Sequence, residues 1–581
     1  MSRMAASTRT LGAMLASRAE ETPDRLAFTY SSDGVTDSDR VTYGELHRRA
    51  QAIASRLLDA AAPGSHALLL FEPGLDFVAS VYGCFQAGMV GVSATPPHPK
   101  RLHRTVPRLR AVAGDAGVAV VLSTAAIRDA TTPLFSEGEA LARATWIAVD
   151  EGLEDAEPGI VSDDPSRLAF MQYTSGSTTD PRGVMLTHAN LLANVELIGR
   201  AQHTSSESRI FSWLPPSHDM GLVTGILQPV HQGYPAALMS PLIVIKRPVR
   251  WLEGITRFRA TISGAPNFAY ELAVRRTTEQ QRESLDLSSW EVAFNGAEPI
   301  LARTIEAFYE TFAPHGLRRS SMWPCYGLAE ATLMVTGPHT PRDPTLVDVD
   351  ARALEKGAVR PPAAGSRAVT LVGCGEVGAD HELAIVDRRT LRRVEPGAIG
   401  EIWVAGPSVA AGYWGHPEQS REHFNARPAG EDGSTEYLRT GDLGFLRDGE
   451  LFVLGRSRDV IILHGRNYHP HDVEVSAESA HECLRAHCSA AFAIESQSGE
   501  SAPAIVLEID PAPPEELPAV IDAVRRQVVH DLDIQLERVS LVSPGAVPKT
   551  TSGKIQRQLS RTLLYDGKLE LHADWRMHDA P

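Results

Sequence analysis

The chain of 581 residues is short of cysteine, of positive charge and of long apolar runs, and each shortage closes a class of function. Its five cysteines, Cys84, Cys325, Cys374, Cys483 and Cys488, are odd in number and lack metal-ligand spacing. That excludes a disulfide framework and a zinc site and leaves small core residues. Cys483 and Cys488 bracket a stretch that reads as helical. The net charge of −16 argues against a nucleic-acid groove and against electrostatic attraction to a membrane surface. No apolar run reaches the length of a membrane span, so stable membrane insertion is not expected. Residues 1–10 carry arginines but no apolar signal core, and a reducing cytoplasm is the expected compartment. No Gly-Lys-Ser/Thr sequence of the Walker type is present.

What is present is ordinary globular composition, 43% hydrophobic and 22% charged, over a length that demands two or more domains. Residues 26–30 and 40–43 read as a hairpin, and Thr42 with Glu45 forms a capping box for a helix over 43–60. Buried-type strands at 66–71, 90–94 and 118–122 alternate with helices at 75–88 and 102–116. This βαβ rhythm predicts an α/β parallel sheet. Strand-rich sequence from 383 to 454 reads as a smaller β subdomain, and residues from 456 onward as a compact αβ unit. Ahead of both, residues 338–373 turn polar and irregular, with a short strand at 346–349 and a short helix at 351–357, and read as an insertion on the main domain.

Seven segments carry candidate chemistry. Residues 171–188 place Thr174, Ser175, Gly176, Ser177 and Thr178 between two short strands, and Thr187 caps the following helix with Asn190 three residues on. Such a turn aims backbone N–H and hydroxyl donors at one spot, as a polyphosphate needs, although the composition alone equally fits a solvated loop. At 211–222 an apolar strand with Trp213 stops at two prolines and then presents His218, Asp219 and Met220. At 261–268, Gly264 and Ala265 either open a slot or make a tight turn before Phe268. Asn295, Gly296, Ala297 and Glu298 form a flat turn on which an adenine ring can lie. Tyr326, Gly327, Leu328 and Ala329 lead to Glu330, a hard oxygen suited to Mg²⁺ beside phosphates, and Asp442 follows a turn and suits a ribose diol. Residues 547–557 carry Lys554 in a loop of small residues, which by composition alone is a solvated surface lysine.

The order of these segments resembles the adenylate-forming superfamily over nearly the whole chain. More narrowly, it resembles the fatty acyl-AMP ligases, on Leu214 to Leu222, Ser263 to Tyr270, Tyr326 to Thr332 (Ala329 standing where many coenzyme A ligases have Thr) and the 338–373 insertion. Thr179 and Arg182 depart from the usual Gly and Lys of the phosphate loop.

The resemblance implies an α/β fold. A large N-terminal domain of αβαβα layers plus a β subdomain (1–455) would be followed by a small mobile α+β domain (456–581). It implies ATP and Mg²⁺ as cofactors, with Glu330 on the metal. Lys554, His218 and Glu330 would be catalytic. Residues 174–178, Asn295 to Glu298, Tyr326 to Ala329, Asp442 and Arg456 would hold the nucleotide. Trp213, His218, Met220, Gly264, Ala265 and Phe268 would line the acyl pocket, and Arg458 would be the hinge. The implied reaction activates a medium- or long-chain fatty acid to acyl-adenylate. The acyl group then passes to the phosphopantetheine thiol of an acyl carrier protein, or of a carrier domain of a polyketide or nonribosomal peptide synthase. Two alternatives stay open: an acyl-coenzyme A ligase, and a non-catalytic scaffold on the same fold.

Overall fold

In the computed structural model the alternation of buried strands and helices becomes two mainly parallel sheets. The structure describes residues 9–99, 102–153, 162–174, 181–431, 433–463, 466–495, 501–550 and 553–577. One sheet runs, in spatial order, Thr145–Ala148, Val120–Ser123, His66–Leu70, Val90–Ala94, Leu168–Thr174, Arg182–Thr187. Its final pair is antiparallel, with Thr174 opposite Arg182. The other runs Met322–Pro324, Val292–Asn295, Ile262–Ala265, Ile210–Ser212, Ala236–Met239, Leu26–Ser31, Asp39–Thr42. It is parallel except for the N-terminal hairpin.

The helix Leu75–Ala87 touches strands of both sheets and buries every residue but Asp76. That explains its apolar character all round, since it has no solvent face. The expected capping boxes, Thr42 with Glu45 and Thr187 with Asn190, are both formed.

The strands Glu382–Val386, Gly400–Ala405, Leu438–Arg447 and Glu450–Arg456 make an antiparallel sheet, as expected of the β subdomain. Within it Asp442 lies mid-strand rather than after a turn. The pairing slips at Glu401/Trp403 and at Leu443/Gly444, and Gly441 has φ +73°, so irregular pairing supplies the turn-like signal.

In the 338–373 segment, Leu346–Asp350 and Ala368–Val372 pair around the short helix Ala351–Glu355. Val349 and Leu354 bury against Phe445, Phe452 and Leu454 of the antiparallel sheet.

Past residue 460, the sheet Leu484–Glu495, Ser501–Ile509, Arg538–Val542, Leu571–Arg576 carries cores on both faces built from its own residues. The stretch between Cys483 and Cys488 is not helical. It is the start of a strand whose register slips between Leu484 and Ser489, with His487 at φ +54°. A bulge repeats side chains off the two-residue period, which mimics helical spacing. Among the described residues no helix is long and apolar enough to cross a membrane.

A satellite core beneath the second sheet fixes its strand ends. Trp251, Tyr270, Trp290 and Phe308 pack ring on ring, mostly edge to face, with Tyr270 and Trp290 near parallel and centroids 4.9 to 6.3 Å apart between Trp251, Tyr270 and Phe308. The Trp251 indole donates to Ser263 Oγ at 2.8 Å, and Ser263 Oγ donates to the Phe211 carbonyl. Trp251→Ala is therefore expected to cost about 3–5 kcal/mol of stability, read from guanidinium unfolding. A loss under about 1 kcal/mol would contradict this account of the cluster.

Candidate active site

Four neighbouring parallel strands, Ile210–Ser212, Ile262–Ala265, Val292–Asn295 and Met322–Pro324, end on one edge of their sheet. The segments that follow them are the motifs singled out in the sequence. Scattered motifs meet because a parallel sheet delivers every strand's carboxyl end to the same crevice.

On one side lies a narrow apolar cavity lined by Trp213, Leu214, Pro215, His218, Met220, Pro241, Ile245, Pro266 and Phe268. Four of the six residues expected on the acyl pocket are there. Gly264 is not: a Cβ on it would lie 2.3 Å from Phe294 Cγ, so the ring fills the space and the glycine serves close strand packing. Ala265 is fully buried in the satellite core. Leu222 also turns into the main core.

His218 Nδ1 contacts Asp219 Oδ1 beside this cavity, and the Asp219 carboxylate also accepts from the Met220 N–H at 2.7 Å. Burial pushes the Asp219 carboxyl up, but His218, Lys554 and the Met220 N–H outweigh it and hold it below its ordinary value. The helix begun by Asp219–Leu222 widens into a π-helical turn at Val223–Leu227, a distortion common at functional sites.

On the other side, the Tyr326 hydroxyl donates to Asp442 Oδ2 at 2.7 Å, and Arg456 lies 3.5 Å from Asp442 Oδ1. A buried hydrogen bond to a charged acceptor contributes about 1.5–3 kcal/mol, which fixes this corner. Asn295 is buried, and among the described residues its Oδ1 has no partner. Ala297 and Thr332 hold left-handed φ of +72° and +71°, rare for residues with a Cβ and concentrated at working sites. Leu328 and Ala329 bury their side chains in the main core, leaving only main chain for a ligand.

Glu330 accepts from the Tyr413 hydroxyl at 3.0 Å, and the Arg182 guanidinium stands 5.7 Å over the Tyr413 ring. Among the described residues no cluster of three or more His, Cys, Asp or Glu gathers here. Ser175, Gly176, Ser177, Thr178 and Thr179, and the side chain of Thr174, lie outside the described residues.

Lys554 reaches the crevice from the C-terminal unit. Its carbonyl accepts from Thr550 N–H at 2.8 Å, and its N–H donates to Thr550 Oγ1 at 3.0 Å. Gly553, at φ +87°, allows the tight reversal. Burial lowers the proton affinity of the Lys554 amine. Asp219, Glu298 and Asp442 pull it back up, and Arg456 presses it down. Glu298 accepts from Phe268 N–H at 2.6 Å, and burial raises its carboxyl despite that bond. It therefore faces the lysine and the acyl wall as well as the turn at Gly296. Arg458 is exposed near Arg456, Asp459 and Asp442, and desolvation lowers its proton affinity.

Sequence reasoning passed over several residues that the fold brings in. Tyr413 comes from an irregular stretch with no motif. Glu271 and His487 meet at 2.7 Å across the two units, as an ion pair rather than an aligned hydrogen bond. Arg367 contacts Glu355 and donates to the Asp531 carbonyl, while Arg466 lies 3.7 Å from Glu355. These contacts tie the 338–373 segment to the C-terminal unit.

Comparison with known proteins gives one consistent picture. Residues 15–414 match the family model described as AMP-binding enzyme. The chain is 42% identical to the medium-chain-fatty-acid–[acyl-carrier-protein] ligase JamA of Moorena producens, over 94% of this chain and 93% of that protein. It is 35% identical to the long-chain-fatty-acid–AMP ligase FadD26 of Mycobacterium marinum, over 95% and 97%. The fatty acyl-adenylate ligase of L. pneumophila, solved with acyl adenylate and pyrophosphate, superposes with a TM-score of 0.75 at 36% identity, covering 98% of each chain.

The Glu271–His487 pair between the units is expected to respond to pH. Burial opposes charge on His487, but Glu271, Glu478 and Glu298 raise its proton affinity overall. Burial raises Glu271, but His487, Arg303 and Arg275 bring it below its ordinary value. His471 stands nearby and is held neutral by burial, with Arg557 and Arg303 adding to the effect. The His487 contribution is complete below the ordinary histidine value and fades as pH rises through the raised one. The Glu271 contribution is complete above the ordinary glutamate value and fades as pH falls through its lowered one. A fluorescence-transfer pair across the two units is expected to lose its closed signal as pH climbs past neutrality. His487→Gln should start lower and stay flat. A wild-type signal flat from pH 6 to 9 would contradict the latch.

Proposed function

Because the chain belongs to the AMP-binding enzyme family and, within it, to the fatty acyl-AMP ligases, we propose that it activates a medium- or long-chain fatty acid with ATP and passes the acyl group to the thiol of an acyl carrier protein. The observation that carries this reading is the meeting of an apolar cavity, a Tyr326–Asp442–Arg456 corner and the Lys554 ammonium in one crevice.

The carboxylate oxygen of the fatty acid attacks the α-phosphorus of ATP, and the bond to pyrophosphate breaks. Two anions must approach, so the protein's work is positioning and charge neutralisation. The cavity beside Trp213, Met220 and Phe268 holds the chain, with His218 at its polar end. Asp442 takes the ribose diol, braced by Tyr326 and Arg456. The turn at Asn295 to Glu298 lies along the adenine, where the unpartnered Asn295 Oδ1 is matched to a ring amino group. Residues 174–178 hold the leaving phosphates, and Tyr326 to Ala329 complete the nucleotide wall. Lys554 places its ammonium between carboxylate and α-phosphate and meets the charge that builds there.

The lone carboxylate of Glu330, set on the Tyr413 hydroxyl, fits Mg²⁺, which takes one or two carboxylates plus substrate phosphates rather than an all-protein cage. When bound, the ion neutralises pyrophosphate oxygens.

For transfer, the unit from 456 to 581 turns about Arg458 to admit the carrier-protein thiol. The Glu355, Arg367 and Arg466 contacts favour this acceptor over free coenzyme A, because they anchor the C-terminal unit to the 338–373 segment.

Two outcomes follow. Lys554→Ala should stay folded and lose acid-dependent ATP–pyrophosphate exchange by roughly 10²–10³, and near wild-type exchange would remove its role. The double variant Glu355→Gln, Arg367→Ala should keep acyl-AMP formation and raise the ratio of acyl-coenzyme A to acyl-AMP. An unchanged ratio would remove the anchoring role, and abundant acyl-coenzyme A from the wild type would favour the coenzyme A ligase reading.

A further inference from the structure

The lysine loop does not hang freely over the crevice; it rests on the acyl cavity's own wall. A Cβ built on Gly553 would lie 2.9 Å from Phe268 Cε1 and 3.0 Å from Cζ, so the loop backbone sits directly against that ring. The same ring lines the apolar cavity with Trp213 and Met220. Phe268 is also fixed at its main chain, where its N–H donates to Glu298 at 2.6 Å. One aromatic side chain therefore has the fatty-acid chain on one side and the residue preceding the catalytic ammonium on the other.

Ring orientation is the degree of freedom that these contacts share. Phe268 is the second residue of the helix Asn267–Arg276, which Pro266 caps, and is only partly buried. The ring packs on Gly553 and on the satellite core and turns its remaining surface to the apolar cavity. An acyl chain that reaches it presses on that remaining surface. Gly553 is then held in place, and with it the braced reversal through Thr550 that sets Lys554.

We infer that Phe268 is a positioning residue through which occupancy of the acyl cavity seats the Lys554 loop, so that chain length governs the rate of adenylation and not only the affinity for the acid. This rests on the fatty-acid-activating reading above. It follows the rule that binding energy from a remote, non-reacting part of a substrate raises kcat when it sets the geometry at the reacting centre. It also assigns Gly553 a reason beyond its turn: any side chain there would meet the ring.

The test is a chain-length series in ATP–pyrophosphate exchange, from butanoate to tetradecanoate, resolved into kcat and KM. In the wild type kcat is expected to rise at least tenfold between acids too short to reach Phe268 and those that pass it, then level off. In Phe268→Ala, kcat for dodecanoate should fall to the short-chain level and its dependence on length should flatten. Phe268→Leu, which keeps an apolar wall, should recover most of it. A wild-type kcat independent of length, with all discrimination in KM, overturns the inference without recourse to any variant. So does a Phe268→Ala enzyme that changes KM alone, because the ring is then only a pocket wall. Equal loss of kcat at every length also overturns it, since the ring would then steady the loop without sensing the chain. No exchange with any fatty acid in the wild type is a different failure: it removes the functional reading itself.

Discussion

One ammonium, carried by the C-terminal unit, has to sit among carboxylates that belong to the rest of the chain. Lys554 feels Asp219 from the acyl side, Glu298 from the turn beyond the next strands and Asp442 from the β subdomain, with Arg456 opposing them. Burial lowers its proton affinity overall, and the three carboxylates oppose that shift. A compact ammonium on a flexible stem suits a group that arrives for one step and leaves for the next. The composition says the same, for only six lysines stand among 56 basic residues. The chain uses arginine nearly everywhere a cation is enough.

Much of the remaining architecture reads as support for that placement. The parallel sheet brings the acyl and nucleotide segments to one edge. Within the C-terminal unit, Arg557 grips Glu474 with two bonds of 2.6 and 2.7 Å and so anchors the helix that follows the lysine loop. Between the units, polar contacts of His487 with Glu271 and of Arg367 and Arg466 around Glu355 stand beside the packing of Gly553 on the Phe268 ring. Such an interface suits a unit that moves. Shifting a two-state arrangement from 1:99 to 99:1 takes about 5.5 kcal/mol, a sum that a handful of contacts supplies. The 338–373 segment bridges the two units, with its apolar side chains packed on Phe445 and Phe452 while Arg367 donates to the Asp531 carbonyl of the C-terminal unit.

The sequence exposed the parts of this design that depend on local chemistry. Periodicity and capping gave the helix Tyr43–Ala60 to the residue, since a capping box is a signal within four residues. The order of His-Asp, Asn-Gly-Ala-Glu and Tyr-Gly segments gave the crevice, because each follows a strand. What stayed hidden depends on long-range pairing. Slipped register made Asp442 read as a turn residue and made the start of Leu484–Glu495 read as a helix. Gly264 read as an open slot because nothing local reveals that Phe294, on the neighbouring strand, occupies its space. Glu271 and His487 are far apart in the chain and carry no motif, and Tyr413 emerges from a stretch with no regular pattern. Only folding brings them together.

The central claim is that this crevice joins a fatty acid to AMP and hands it to a carrier-protein thiol. The most direct test is mass-spectrometric detection of products from the purified chain with ATP, Mg²⁺ and dodecanoate, before and after addition of a carrier protein bearing phosphopantetheine. The account expects dodecanoyl-AMP to form first and to discharge onto the carrier thiol, with benzoate giving little of either product. Formation of an adenylate from benzoate but not from dodecanoate, or no ATP-dependent product at all, would contradict it.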